Sequence, residues 1–488
     1  HLGHLIHCLT FRSSQSQIHR FSDSPIEKFE QYFRGEQPLN YATEEWKKSN
    51  AAQYAGFSDN WSAPVVNAES ERIDYTGMTF LSGETAANTL HEVWLRNEMD
   101  MQSSQGFVTT LTTGRSFVIV WAERDGTPVV TWEHPSNVEI EYEWENPRIR
   151  RAALKTWVDE KREFATLYTK DSLWKWERPR QREKNDRDSQ ADQSKTGYAA
   201  DGGWQMREVS GEVWPLPNPL GVVPVVEVQN RPTLMGDPVS EIQGVMPMQD
   251  SINLLWAYLF LAADYASMDA RVILGAEPPK IPVLDSDGKV IGTRNVEMKD
   301  LREKRLVTLT GENAKIDSWK AAALDIFTDT IDIAVGHIAS QTRTPPTYLV
   351  SKTGMSNVNG EGLKASEIGL NKKVLEFWTY AGPSIREINR LIALALGDEK
   401  LAAETSIARV NHLNPEIRSE AQLADMLVKL SSVGFPFEYL MELYGVAPLD
   451  IPRIMKMRKM ELDDALGAGV QEAVQGSMGL VDPDVDAA

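Results

Sequence analysis

The chain has a single cysteine, Cys8, among 488 residues. That excludes a disulfide framework and a cysteine-based zinc site, and leaves an intracellular setting as the default. A basic excess is also absent: 51 Lys and Arg stand against 70 Asp and Glu, a formal net charge of −19. This is the wrong sign for wrapping nucleic acid by neutralising phosphates, so a DNA partner must be handled without tight general attraction. Long apolar runs are missing too. The most apolar stretch, 252–263, has about twelve residues against the ~20 that span a bilayer, so no membrane segment is expected. No GxxxxGK[ST], GxGxxG, HExxH or GxSxG occurs, which leaves an enzyme reading weak and calls for no cofactor and no metal. The eight His residues are scattered, and His91, His134, His337 and His412 read as surface or packing residues. Asp463 and Asp464 read as a solvated helix end.

What is present is an ordinary globular mix. With 42% hydrophobic residues the chain can build a sizeable core in two to four domains. The first 22 residues carry no initiator Met, and His1, His4 and His7 repeat beside Cys8. Without a fixed fourth ligand they read as part of a disordered leader, or as an artefact of where the sequence starts, rather than as a metal site. Asn60-Trp61-Ser62 matches a glycosylation sequon but has no signal peptide to make it meaningful.

Residues 25–105 read as helical with short breaks: Ile26, Phe29, Tyr32 and Phe33 recur at helical spacing, as do Val65, Val66, Glu69 and Ile73, then Val93, Trp94 and Met101. From Ser116 the period becomes two. Phe117, Ile119 and Trp121 alternate, Asp125-Gly126 marks a turn, and Val129, Thr131 and Glu133 continue the hairpin. Further strands are expected at 138–142, 152–158, 164–168, 173–176 and 225–228. Arg178 to Gly203 is charged or small almost throughout and is expected to be a mobile insertion.

Helix is expected again over about 241–268, capped by Asp237 or Ser240 with Pro238 near the first turn. A compact β-like insert follows over 271–316, with strands at 272–274 and 305–309 and a turn at Asp285 to Gly288. Helix resumes from Ser318 or Trp319 to Thr342, giving two helices of similar length that bracket a small β module. Pro345 and Pro346 lack amide donors, so this helix cannot continue past about Thr342. Ser351 to Gly362 holds Gly354, Asn357, Asn359, Gly360 and Gly362 and reads as a mobile connector. A long helix then spans 363–396, and Gly382-Pro383 inside it is expected to kink it. A short extended stretch at 408–413, helices near 416–432, 436–444 and 449–465, and a loose tail close the chain.

Asp325, Asp329 and Asp332 fall at i, i+4 and i+7, hence on one helix face. That face is either a solvated surface or an acidic stripe along a water-filled channel, where it would repel a phosphate backbone.

In collinear order the chain carries Trp61-Ser62-Ala63-Pro64-Val65-Val66-Asn67-Ala68, Gly114-Arg115-Ser116-Phe117-Val118-Ile119-Val120-Trp121 and Asn218-Pro219-Leu220-Gly221-Val222-Val223-Pro224-Val225-Val226. Asn230-Arg231-Pro232, Pro247-Met248-Gln249-Asp250-Ser251-Ile252-Asn253 and Ile338-Ala339-Ser340-Gln341-Thr342-Arg343-Thr344-Pro345-Pro346 continue the set. With these strings, over about residues 25–465, the sequence resembles the portal proteins of tailed bacteriophages, in the branch similar to the phage SPP1 portal that is common in phages of actinobacteria. The resemblance implies an α+β, portal-like fold: leader 1–24; wing 25–235, helical over 25–106 and β-rich over 107–235; stem helices 236–270 and 318–343; clip 271–317. A tunnel loop 344–362, a kinked long helix 363–397, a helical crown 398–470 and a flexible tail 471–488 complete it.

The resemblance also implies a non-enzymatic homo-oligomer, usually a 12-mer ring, at one vertex of the capsid in the virion, assembled in the host cytoplasm. Double-stranded DNA would pass through its channel, and its partners would be the major capsid protein, the terminase large subunit, then a head-to-tail connector, with a scaffold protein possible. Twelve copies at −19 sum to roughly −228, which suits a wall that does not grip DNA. In that frame Asp325, Asp329 and Asp332 would line the channel. Ser351, Lys352, Thr353, Gly354, Met355, Ser356, Asn357 and Asn359 would form the tunnel loop, with Lys352 a candidate phosphate contact, and Pro345, Pro346, Gly382 and Pro383 would be hinge or kink points. Two other readings stand beside it: a head-to-tail adaptor or other virion structural protein, and a metal-dependent helical enzyme acting on nucleic acid through its acidic side chains.

Overall fold

The structure is a computed structural model that describes residues 25–42, 57–80, 84–123, 125–179, 204–207, 211, 214–234, 236–267, 271–274, 280–295, 315–318, 324–349, 360–416, 420–446 and 450–478. The leader, most of the 178–203 insertion, the expected strand at 305–309 and the eight tunnel-loop residues from Ser351 to Asn359 lie outside them. The chain divides into two compact units: His1–Pro38, Asn60–Gln249 and Val335–Ala488 form one, Leu39–Asp59 and Asp250–Ala334 the other.

The first unit begins with α1 (Pro25–Arg34) and α2 (Ser62–Ser70). Asn60 of the sequon is engaged at the start of α2: its Oδ1 accepts from Ser62 N at 2.9 Å and its Nδ2 donates to Phe33 O at 2.8 Å. Next comes β1 (Tyr75–Thr79), a strand inside the stretch expected to be helical. It pairs antiparallel with Arg409–His412, far along the chain, with Met78 opposite Val410. Helices α3 (Glu84–Arg96) and α4 (Met99–Thr113) follow, the latter eight residues longer than periodicity suggested and closed by Gly114 at φ +90°. A Cβ at residue 114 would stand 2.8 Å from Pro238 O, so both the left-handed turn and the close approach require glycine there.

The expected hairpin is β2 (Arg115–Ala122) and β3 (Pro128–Glu133), turned by Gly126 at φ +82°. A meander of β4 (Val138–Tyr142), β5 (Arg150–Val158), β6 (Arg162–Thr169) and β7 (Ser172–Pro179) continues with β8 (Gln205–Met206) and β9 (Leu216–Pro217), both on β7. Strand β10 (Val225–Gln229) joins the hairpin on the free side of β2. Arg178 belongs to β7 rather than to the insertion: it pairs with Glu163 and lies 4.5 Å from the Trp204 ring centroid. Side chains alternate between the faces of each strand. Phe117, Ile119, Val223 and Val225 therefore meet Val138 and Ala153 in one core, while Ala152, Leu154, Ala165, Leu167 and Trp176 form another.

The outer edge of β3 is closed without a strand. Asn97 Oδ1 accepts from Val130 N at 2.9 Å and its Nδ2 donates to Pro128 O at 3.1 Å. Gln102 Oε1 accepts from Trp132 N at 2.8 Å and its Nε2 donates to Val130 O at 3.4 Å. Two side-chain amides thus satisfy backbone groups that would otherwise stand open on an edge strand.

Residues 241–245 form turns, and α5 starts only at Met246 and runs to Ser267. Pro238 and Asp237 therefore precede the helix by several residues, and Asp237 pairs with Arg115 at 2.6 Å instead of capping it. In the second unit, β11 (Arg271–Leu274) pairs with β14 (Lys315–Ser318), and β12 (Lys280–Leu284) with β13 (Val290–Asn295) around Gly288 at φ +81°. Ser318, expected to open a helix, ends a strand. Helix α6 spans Asp325–Thr342, and a short helix α7 (Pro346–Leu349) follows the two prolines, Pro346 taking the first helical position where its missing amide costs nothing.

Helix α8 runs from Gly360 to Ala395 with Pro383 inside it. It buries Leu370, Val374, Phe377, Ala381, Ile385, Ile388, Leu391 and Ile392 against the three-stranded sheet and its neighbours. A further helix, α9 (Glu399–Thr405), capped by Asp398, was not anticipated. Strand β15 (Arg409–His412) and helices α10 (Glu420–Ser432), α11 (Phe437–Tyr444) and α12 (Ile451–Met478) complete the chain. Because α12 reaches Met478, the expected tail from 471 is helical in its first part. Among the described residues no helix is long and apolar enough to cross a membrane.

Candidate channel-facing helix and its anchorage

Helix α6 has three distinct faces. At 100° per residue, Asp325, Asp329 and Asp332 fall within an arc of about 60°. All three are exposed, and among the described residues none pairs with a cation. Ile331, Ala334 and Ile338 are buried on the far side. Between the two lies an apolar stripe: Ile326 is 63% and Ile333 62% exposed in the isolated chain. The structure thus keeps the three aspartates together as an unpaired acidic face. Sequence reasoning missed the isoleucine stripe, although its i, i+7 spacing was readable.

The end of α6 is built by more than its prolines. Arg343 adopts φ +57°, and Thr344 N donates back to Ala339 O at 3.0 Å, the pattern that closes helices with a left-handed residue. That conformation costs a non-glycine residue about 1 kcal/mol. Arg343 offsets part of it through an ion pair with Glu376 on α8 at 2.9 Å. Thr342 Oγ1 donates to Ile338 O at 2.8 Å and lies 2.9 Å from Thr344 Oγ1, which is then left to donate to it, so the hydroxyls also hold the turn.

Arg72, just past α2, ties the segments on either side of residues 350–359. Its guanidinium donates to Tyr348 Oη at 3.1 Å on α7, to Asn371 Oδ1 at 2.6 Å on α8 and to Pro415 O at 3.4 Å, and pairs with Glu367 at 3.2 Å. The Arg72 side chain is 8% exposed, so these contacts are largely shielded from water.

One turn away on α2, Glu69 joins a second buried group. Lys373 Nζ lies 2.8 Å from Glu69 Oε2 and 2.5 Å from Glu241 Oε2, and all three side chains are 1% exposed. The separations are short but the approach angles are poor for hydrogen bonds, so the contact is chiefly ionic. Arg231 reaches the other oxygen of Glu241 at 2.7 Å, where Asn230 Nδ2 also donates at 2.8 Å. Burial, reinforced by the neighbouring Glu241 charge, pushes the Glu69 carboxyl up to about 7 despite the Lys373 ammonium.

The remaining sequence candidates take structural places. His134 Nε2 sits 2.8 Å from Glu30, and His412 stacks on Trp378 at 5.0 Å. Pro383 is exposed within a continuous α8, while Ser384 Oγ donates to Glu227 O of β10 at 2.7 Å. Among the described residues no group of three or more His, Cys, Asp or Glu could hold a metal ion.

Comparison with known proteins decides the family. Residues 19–445 match the family described as Phage portal protein, SPP1 Gp6-like. The chain belongs to that family. Two named portal proteins are similar to it: the Portal protein of Mycobacterium phage L5, 25% identical over 438 residues covering 86% of this portal chain and 80% of that one, and the Portal protein of Mycobacterium phage D29, 25% identical over 387 residues covering 76% and 71%. Solved neck structures of gene transfer agent particles align with TM-scores of 0.45 and 0.46 at 10% and 11% identity, covering 85% and 88% of this portal chain and 96% and 95% of theirs. Those scores are too low to bear on the assignment.

Proposed function

We propose that this portal subunit assembles into a symmetric ring, of twelve copies as is usual in portal proteins, at a unique capsid vertex, and that double-stranded DNA enters and leaves the head through it. The ring docks the terminase motor and then the head-to-tail connector, and does no chemistry itself. The observation that carries this reading is the family match over most of the chain. The unpaired acidic face of α6 supports its finer part. Asp325, Asp329 and Asp332 face the channel, where a wall of like charge keeps the phosphate backbone from adhering. Ile326 and Ile333 face the next subunit's stem. Arg72 ties the described segments on either side of the expected tunnel loop, Tyr348 before it and Asn371 after it, and the kink expected at Gly382-Pro383 would let α8 follow the ring.

Electron microscopy of the purified protein and of virions tests the assembly; absence of a ring in both refutes it. The channel wall is tested separately by changing Asp325, Asp329 and Asp332 to Lys together. Rings should still form, and should now retain DNA with an affinity that falls steeply as salt rises. Rings that bind DNA no better than the parent would remove the three aspartates from the channel wall while leaving the ring itself standing.

A further inference from the structure

We infer that Glu69, Lys373, Glu241 and Arg231 form a proton-operated brace that couples α2, the 230–245 segment leading into α5, and the first half of α8, with Glu69 as the group that gains and loses the proton. Two carboxylates share one ammonium at a site closed to water, and through it α2, the 230–245 segment and α8 are joined. The charged groups facing Glu69 are Lys373 from α8 and Glu241 and Arg231 from the 230–245 segment. Arg72, on the same side of α2, is committed to Glu367, Asn371 and Tyr348.

With Glu69 ionised the brace is neutral, two cations against two carboxylates. With Glu69 protonated it carries one positive charge, and Lys373 is left to Glu241 alone. Desolvation decides between the two forms. An isolated carboxylate at 1% exposure is costly even beside an ammonium, so the proton is held to about neutral pH. The folded-state value lies above the ordinary 4.5, so the contribution of Glu69 is fully present below pH 4.5 and is lost as pH rises through 7. The brace is therefore tight in mild acid and loosens progressively between about pH 4.5 and neutrality. Two of the three elements it joins adjoin, along the chain, those proposed for the channel: the 230–245 segment leads into α5, and α8 follows the expected tunnel loop. The inference itself does not depend on the ring.

Amide hydrogen exchange on the full chain, across about pH 5 to about pH 8 and corrected for intrinsic rates, tests it, with β5 and β6 as internal reference. The opening equilibrium of α2, 236–245 and 364–378 should rise about 70-fold over that range relative to the reference strands. Glu69→Gln should flatten the rise to under about threefold. Glu241→Gln, which removes the neighbouring negative charge, should instead move the transition to lower pH. Should neither variant fold, the wild-type series alone remains decisive. Equal pH response in the three segments and in β5 and β6 overturns the proposal, as does an unchanged profile in Glu69→Gln.

Discussion

Replacing Gly106 by Ala is the sharpest test of how α8 is held. In a helix interior such a change ordinarily stabilises by about 1 kcal/mol. Here an added Cβ would stand 2.0 Å from Trp132 Cε2 and 2.1 Å from its Nε1. The indole would have to retreat by about 1.5 Å to reach ordinary carbon contact near 3.5 Å. It is not free to do so. Trp132 Nε1 donates to Ser116 Oγ at 2.8 Å, and since the Thr110 hydroxyl is spent on Gly106 O, Ser116 must donate onward to Thr110. The ring also meets Phe107 edge-on at 5.3 Å, and Phe107 in turn meets Phe377 and Trp378 of α8. Losing one hydrogen bond costs about 1 kcal/mol and one aromatic pair about 1 kcal/mol, with a further 1 kcal/mol or more for overpacking. Against the helix-propensity gain, the net is a loss of about 2 kcal/mol.

Thermal unfolding at matched protein concentration should show a midpoint lowered by ~2–4 °C. The control is a double-mutant cycle. In a Trp132→Leu background the obstacle is gone, and Gly106→Ala should become stabilising by up to about 1 kcal/mol. An unchanged or higher midpoint for Gly106→Ala alone, or the same shift in both backgrounds, would refute the reasoning.

Removing the Arg72 guanidinium by Arg72→Met should destabilise by about 3 kcal/mol in a urea titration, because the mostly buried Glu367 carboxylate loses its cation; Arg72→Lys should recover only part, since one ammonium cannot serve Tyr348, Asn371 and Glu367 together. Gly382→Ala meets nothing within 4 Å and should gain about 1 kcal/mol, read as a higher unfolding midpoint. A loss there would instead support a hinge that needs glycine. Glu387 behaves oppositely to Glu69. Burial alone would raise it, but Arg390 and Arg150 outweigh burial and hold its carboxyl below the ordinary range. Its contribution is present above pH 4.5 and lost in stronger acid, so Glu387→Gln should flatten the acid limb of the stability profile and leave the neutral limb unchanged.

Elements whose partners lie nearby were legible in the sequence. The β2–β3 hairpin and the β5–β6–β7 meander each show period two with a turn between, and their observed limits differ from the expected ones by a few residues. Strand β1 was not legible, because its partner β15 is more than three hundred residues away and Gly77, at φ +120° beside a register shift, blurs the alternation. The acidic face of α6 was readable because i, i+4, i+7 spacing survives folding. The buried ionic anchors were not anticipated, yet a signal existed. Glu69 falls in the same helical repeat as Val65, Val66 and Ile73, and Lys373 sits between Leu370, Val374 and Phe377, so each charge occupies a position that an amphipathic helix reserves for its core. A charge on the apolar arc of a helix has to find a counter-charge inside, and nothing in a linear sequence says which one.

The closing of β3 by Asn97 and Gln102 has a meaning for the many-copy assembly proposed above. Wherever identical chains crowd together, a bare strand margin invites main-chain recruitment of its twin, and growth of that kind has no natural end point. By spending two amides on Pro128, Val130 and Trp132, this chain removes the invitation. At this margin a neighbouring copy can then be met only through side-chain shape and charge, a mode of contact that can close at a fixed number.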